Sequence, residues 1–150
     1  MFTYEKVISL LKEWFGLKSK LLENLFDKDF TRKHFREGDI WYVKLGVNIG
    51  KEQNGGKNFL RPVLILKKFN SKCFIGIPLT SRNKKESKFY LKVKIDYSSR
   101  KVRKVKSDKS YLILSQIRFL DSIRLSDKLG KVDKGCLGRA KLFTKALLFE

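Results

Sequence analysis

The sequence holds one histidine, two cysteines and two prolines in 150 residues. With His34 alone in a polar stretch, a histidine pair for acid–base cleavage of a phosphodiester is excluded. Cys73 and Cys136 are far apart and form no CxxC. Even with His34 they fall short of the roughly four ligands of a structural zinc site, and they fit small buried residues in a reducing compartment. Acidic residues number only 15. Glu52 stands isolated in a loop and Asp96 lies in a basic stretch, so the clustered carboxylates of a two-metal nuclease are missing. Neither a GxxxxGK phosphate loop nor a GxSxG nucleophile elbow occurs. No metal site and no cofactor are therefore expected. No apolar run approaches the roughly 18 residues that cross a membrane. The N-terminus carries Glu5 and lacks a signal-peptide pattern, so a soluble, cytoplasmic protein is expected.

What is abundant is positive charge. Lys and Arg number 35, for a net charge of +20. Such a charge opposes compaction and attracts polyanions. Nucleic acid is the foremost candidate, because each neutralised phosphate releases counterions. An anionic membrane surface and a codon bias toward lysine are the alternatives. The charge is uneven: residues 82–109 hold twelve Lys or Arg against three Asp or Glu. A hydrophobic fraction of 42% and 19 aromatic residues argue for a folded chain with a real core.

Residues 3–26 carry a helical period. Val7, Ile8, Leu11, Trp14 and Phe15 fall on one stripe, then Leu21, Leu22, Leu25 and Phe26 on another. Thr3 is placed to cap the start, and Gly16 to separate two helices or kink one. The polar stretch "FDKDFTRKHFREGD" (26–39) follows. Residues 1–35 are thus expected to form a helical extension on a body of 36–150.

From Gly38 the period becomes that of strands, at 39–45, 61–66, 73–79, 88–96, 101–106 and 110–117. Pro62 is tolerable only at a strand's start. In 88–96, Phe89, Leu91, Val93 and Ile95 alternate with Tyr90, Lys92 and Lys94. The two lysines would stand on an outward face, as a floor for a phosphate backbone or as a solvated edge strand. "DSIRLSDKLG" (121–130) predicts a short helix capped by Asp121 or Ser122 and closed by Gly130. The tail 134–149 predicts a helix with Leu137, Ala140, Thr144, Leu147 and Leu148 near one face, weakened by Gly135 and Gly138. Many short strands with little helix between them predict a mainly β, α+β domain built on a small antiparallel barrel.

Arg61 opens the second strand after the glycine-rich loop "IGKEQNGGKNFL". An arginine there can snorkel to water or face a phosphate. If strands 61–66 and 73–79 are antiparallel neighbours, Arg61 and Thr80 converge at one rim. A guanidinium stabilises the charge of a transferring phosphoryl group, and a hydroxyl holds a phosphate oxygen or passes a proton. RNA supplies its own nucleophile, the 2′-OH, so its cleavage needs no metal in principle.

The blocks "GDIWYVKLGVNIGKEQNGGKNFLRPVLIL", "IPLTS" and "YLILSQIRFLDSIRLSDKLGKV" resemble, in order, those of the MazF/PemK toxins of type II toxin–antitoxin systems, over about residues 36–148. The resemblance implies an SH3-like barrel with short helices and a homodimer. It implies metal-independent, sequence-specific cleavage of single-stranded RNA, leaving 2′,3′-cyclic phosphate and 5′-OH ends, and inhibition by a cognate acidic antitoxin. By position it implies that Arg61 and Thr80 are catalytic, and that Glu52 and Gln53 belong to a loop that covers the site and holds its arginine and substrate. Ser81, Lys57, Asn58 and Arg82 are implied substrate-binding or supporting residues, and Gln116 and Arg118 structural ones. Lys57-Asn58-Phe59-Leu60 makes the segment before Arg61 longer than the Gly-x-Arg-Pro of the best-known members, which extends the loop and bears on which bases it admits. A non-catalytic RNA-binding module and a protein-interaction barrel are the alternatives.

Overall fold

The computed structural model describes residues 3–97 and 110–150. The expected strand 101–106 lies outside them. Helix α1 (Tyr4–Asn24) starts at Thr3, whose hydroxyl accepts from Lys6 N at 3.2 Å. It runs without a break through Gly16, contrary to the expected separation. Among the described residues nothing packs within 4 Å of a Cβ at that glycine, and its propensity cost of about 1 kcal/mol is offset by the anchoring of Trp14 and Leu21 on either side. The packed ridge also differs from the expected stripes. Leu10, Trp14, Leu17 and Leu21 face the body, whereas Val7, Leu11, Phe15, Leu22, Leu25 and Phe26 are exposed. Both sets have helical spacing, so periodicity alone does not choose between them.

The polar segment after α1 is tied down. Arg32 pairs with Asp121 and donates to Ser122 Oγ at 2.9 Å. Phe35 is buried in the core, 5.2 Å from the Phe74 ring.

Among the described residues seven antiparallel strands follow: β1 (Asp39–Lys44), β2 (Leu60–Lys68), β3 (Cys73–Thr80), β4 (Tyr90–Val93), β5 (Ser110–Ile113), β6 (Arg118–Asp121) and β7 (Leu125–Lys131). Their order is β4-β5-β3-β2-β1-β7, with β6 also on β3. The upper half of β3 pairs with β5 and the lower half with β6. The expected strand 110–117 thus ends at Ile113 and gives way to a 3-10 turn at Leu114–Gln116, after which β6 begins at Arg118. Among the described residues the ladder does not close into a full barrel; a two-hydrogen-bond bridge between Asp96 and Lys131 spans the gap. Inner β2 is buried on both faces. Leu64 and Leu66 join one core cluster, with Ile77, Leu112 and Ala140, and Val63 and Ile65 join a second, with Trp41 and Phe74. Its unbroken apolar run follows from that double burial.

The predicted helix at 121–130 is instead a 3-10 turn, Ser122–Arg124, leading into β7. Asp121 does cap, accepting from Ile123 N at 2.8 Å. Leu125 and Leu129 suggest a helix by their spacing, but both are buried in a strand whose register shifts against β1, Leu125 in one core cluster and Leu129 in the other. Pairing with the open edge of β1 outweighs local propensity. Gly130 ends no helix: a Cβ there would meet Asp96 O at 2.4 Å, so it permits the bridge. In β4, Leu91 and Val93 point inward and Lys92 outward, as the alternation requires; the strand ends at Val93, while Ile95 remains buried. Helix α2 (Lys134–Phe149) is capped by Asp133, which accepts from Cys136 N at 2.7 Å, and buries Cys136, Ala140 and Thr144. Leu148 of the expected face is exposed. Both cysteines are free. Among the described residues no helix is long and apolar enough to cross a membrane.

Candidate active site

The β2–β3 ladder pairs Val63 with Pro78. Two further steps of that register bring Arg61 opposite Thr80, which places them on the same face. Together they line a pocket of about 260 Å³, with Ser81 and Ser110 at its side. The Arg61 guanidinium is held by two backbone carbonyls: Nε donates to Asn54 O at 2.7 Å and one terminal nitrogen to Leu79 O at 3.1 Å. In the amide orientation that satisfies both groups, Gln53 Oε1 also accepts from Arg61 Nε at 3.1 Å and Nη2 at 2.9 Å. Burial, followed by the nearby charge of Arg82, lowers the Arg61 pKa. An arginine in a protein stays charged nonetheless, so the site holds a partly desolvated cation. With five donors in a fixed fork, the group keeps free N–H bonds for an anion. Thr80 is buried, and its Oγ1 accepts from Arg82 N at 3.2 Å.

The loop between β1 and β2 shapes the pocket rim. Asn48 Nδ2 donates to Leu45 O at 3.2 Å and to Gln53 O at 2.8 Å, and Asn48 N donates to Asn54 Oδ1. Gln116, in the turn after β5, clamps the loop from the far side. Its Oε1 accepts from Gln53 N at 3.1 Å and its Nε2 donates to Lys51 O at 2.9 Å. The loop re-enters β2 through Asn58 and Phe59, both with left-handed backbones. Asparagine tolerates this; for phenylalanine the cost is about 1–2 kcal/mol. It is held by burial of the ring against Trp14 and by Gly55, where a Cβ would meet Phe59 O at 2.0 Å.

Of the residues singled out in the sequence, Arg61, Thr80 and Ser81 share the small pocket. Glu52, Gln53, Lys57, Asn58 and Arg82 line, with Arg61, a larger cleft of about 840 Å³. Among the described residues Glu52 forms no ion pair with Arg61, and the loop holds the arginine through Gln53 and Asn54. The Glu52 carboxylate accepts from Ile49 N at 2.9 Å and closes the loop tip. Arg118 starts β6 opposite Gly76, consistent with a scaffold position. Sequence reasoning missed Asn54 and the reach of Gln116. Asn48 and Asn54 carry the usual signal of amides that bridge turns, but Asn54 meets Arg61 through its carbonyl, which any residue would supply.

A family model, the PemK-like, MazF-like toxin of type II toxin–antitoxin systems, matches residues 36–140, well over half of the chain. No curated protein sequence matches. Similar solved structures include an endoribonuclease in complex with its cognate antitoxin from a mycobacterial species, at 14% identity and a TM-score of 0.53, covering 77% of this chain and 95% of that one. MazF from Deinococcus radiodurans, in crystal form I, is similar at 18% identity and a TM-score of 0.53, covering 79% of this chain and 100% of that one. At these identities the likeness shows a shared fold, and α1 lies ahead of the segment matched by the family model. With a MazF-like sheet beneath it and the family's own pattern along it, the chain belongs to the PemK-like, MazF-like toxin family of type II toxin–antitoxin systems.

Proposed function

We propose that the protein is an endoribonuclease toxin that cuts single-stranded RNA at specific short sequences without a metal cofactor. The observation that carries this reading is the Arg61 guanidinium, fixed by Asn54 O and Leu79 O at the mouth of the pocket it shares with Thr80. The 2′-oxygen of the RNA attacks the adjacent phosphorus and gives up its proton. The P–O5′ bond breaks, and the departing oxygen takes up a proton. The products are a 2′,3′-cyclic phosphate and a 5′-OH. Arg61 stabilises the negative charge that builds on the phosphoryl oxygens. The Thr80 hydroxyl, whose oxygen already accepts from Arg82 N, offers its proton to a phosphate oxygen. Gln53 braces the arginine, and Ser81, Lys57, Asn58 and Arg82 contact the strand on either side. Glu52 acts through the loop fold.

The structural neighbour that is in complex with its cognate antitoxin supports a matching partner here, an acidic polypeptide that occupies the RNA site, in the cytoplasm. The working unit is a homodimer of 36–150 bodies, each carrying 1–35 as a helical addition. A monomer mass by light scattering at micromolar concentration would contradict the dimer. The activity is tested by incubating a mixed-sequence RNA with the protein in EDTA. Discrete cuts with 5′-OH ends are expected. Binding without cutting would leave an RNA-binding module instead.

A further inference from the structure

Helix α1 lies outside the family match, yet it forms one wall of the cleft that leads to Arg61. The docked ridge runs Leu10, Trp14, Leu17, Leu21. Trp14 is its anchor. The indole sits 5.6 Å from the Phe59 ring and 6.0 Å from the Arg124 guanidinium. It lies so close to Gly46 that a Cβ there would come within 2.0 Å of it. Helix α1 is therefore fixed against the loop rather than loosely laid on it. N-terminal to Leu10 the same face overhangs. Lys6, Leu10 and Glu13, at spacings of four and three residues, turn to the cleft with Val7. Lys6 and Glu13 are exposed, and neither forms an ion pair among the described residues.

The chemistry of the two walls together points to one kind of ligand. Among the described lining residues, five cations (Lys6, Lys51, Lys57, Arg61 and Arg82) face two carboxylates, Glu13 and Glu52. Asn58 adds an amide, and Phe59 and Leu10 an apolar surface. The volume of about 840 Å³ lies within the roughly 300–1,000 Å³ of small-ligand sites. The cleft meets the smaller pocket at Gly56 and Arg61, which line both. A ligand that fills it is anionic, carries an apolar plane and continues to Arg61.

We infer that the cleft between α1 and the β1–β2 loop is a nucleotide subsite of the RNA path. Lys6 contacts a phosphate, Leu10 packs on the base, and Glu13 accepts from the exocyclic amine of the base beside the cut. Recognition of that kind discriminates bases through hydrogen bonds to their edges. The inference rests on the ribonuclease reading for the word "cut", but not for the binding of RNA.

Two measurements separate the ideas. In the first, single-stranded RNA carrying 4-thiouridine is photo-crosslinked to the full chain and the adducts are mapped by mass spectrometry. Adducts are expected within residues 6–13 as well as in the loop. Adducts confined to residues outside α1, or none at all, would overturn the subsite whether or not the RNA is cut. In the second, cleavage ends from a random RNA pool are sequenced for wild type, Lys6→Ala and Glu13→Ala. Lys6→Ala is expected to raise KM about equally for all sequences, and Glu13→Ala to raise KM for the preferred RNA and to lose about tenfold of the preference at one position flanking the cut. Unchanged KM and preference would reduce α1 to a packing helix while leaving the ribonuclease intact. Adducts on α1 without any cutting would keep the subsite and sink the nuclease.

Discussion

Arg61 is the residue on which the site turns, a partly desolvated cation fixed by two carbonyls beside Thr80. Its meeting with Thr80 was legible because two strands joined by a short turn pair antiparallel, and the start of one must then lie beside the end of the other. The groups that hold it were not legible, because Asn54 and Leu79 contribute carbonyls and carbonyls have no sequence signature. Gln116 was legible as part of a block, but its hold on a loop more than sixty residues upstream was not, since only the fold brings them together. That hold carries a prediction. Gln116→Ala removes two hydrogen bonds to the loop and should cost about 1–2 kcal/mol of stability, read by urea unfolding. The freed loop should raise KM for RNA several-fold with a smaller effect on kcat. An unaltered KM would show that the loop holds its shape without the clamp.

At the scale of elements, periodicity found the core of the strands and misjudged their ends. β2 and β3 were legible from apolar runs bounded by polar turns. The segment 121–130 was not, because Leu125 and Leu129 four apart fit a helix as well as a bulged strand, and the open edge of β1 decided. In α1 apolar residues lie on more than one face, and Gly46 decides which is buried by admitting Trp14; Leu10 and Leu17 join that ridge although neither stood on an expected stripe. Glu37 links three elements. Its carboxylate accepts from Lys68 N at 3.2 Å, pairs with Lys141 at 3.1 Å and lies 4.0 Å from Lys67. Burial pushes its pKa up, but the Lys68 N–H and the two lysines outweigh it and leave the value lowered. A lowered folded pKa means stability that is present above the unfolded carboxylate value and lost as pH falls through the folded one. Glu37→Gln should therefore destabilise modestly at pH 7, by under about 1 kcal/mol for so exposed a pair. Denaturant titrations at stepped pH should show the gap from wild type closing below about pH 4. A gap independent of pH would mean that the side chain matters for shape rather than charge.

For the whole molecule, composition bears on the class of partner and not on the chemistry. A net charge of +20 points to a polyanion, and neither the excess of lysine nor the scarcity of histidine distinguishes binding from cleavage. The charge predicts a steep salt dependence. With about four phosphates neutralised on a single strand, log K should fall with log salt at a slope near −3, measured by anisotropy between 50 and 200 mM salt. A slope near zero would turn attention to a protein-interaction surface. The decisive experiment on the molecule as a whole compares wild type and Arg61→Ala in single-turnover cleavage of one preferred RNA in EDTA, with circular dichroism confirming that both are folded. The expected result is a rate at least about a hundredfold lower for the variant, the usual consequence of losing one preorganised charge-stabilising donor group, with RNA still bound. A folded Arg61→Ala protein that cuts at the wild-type rate would contradict the account at its centre.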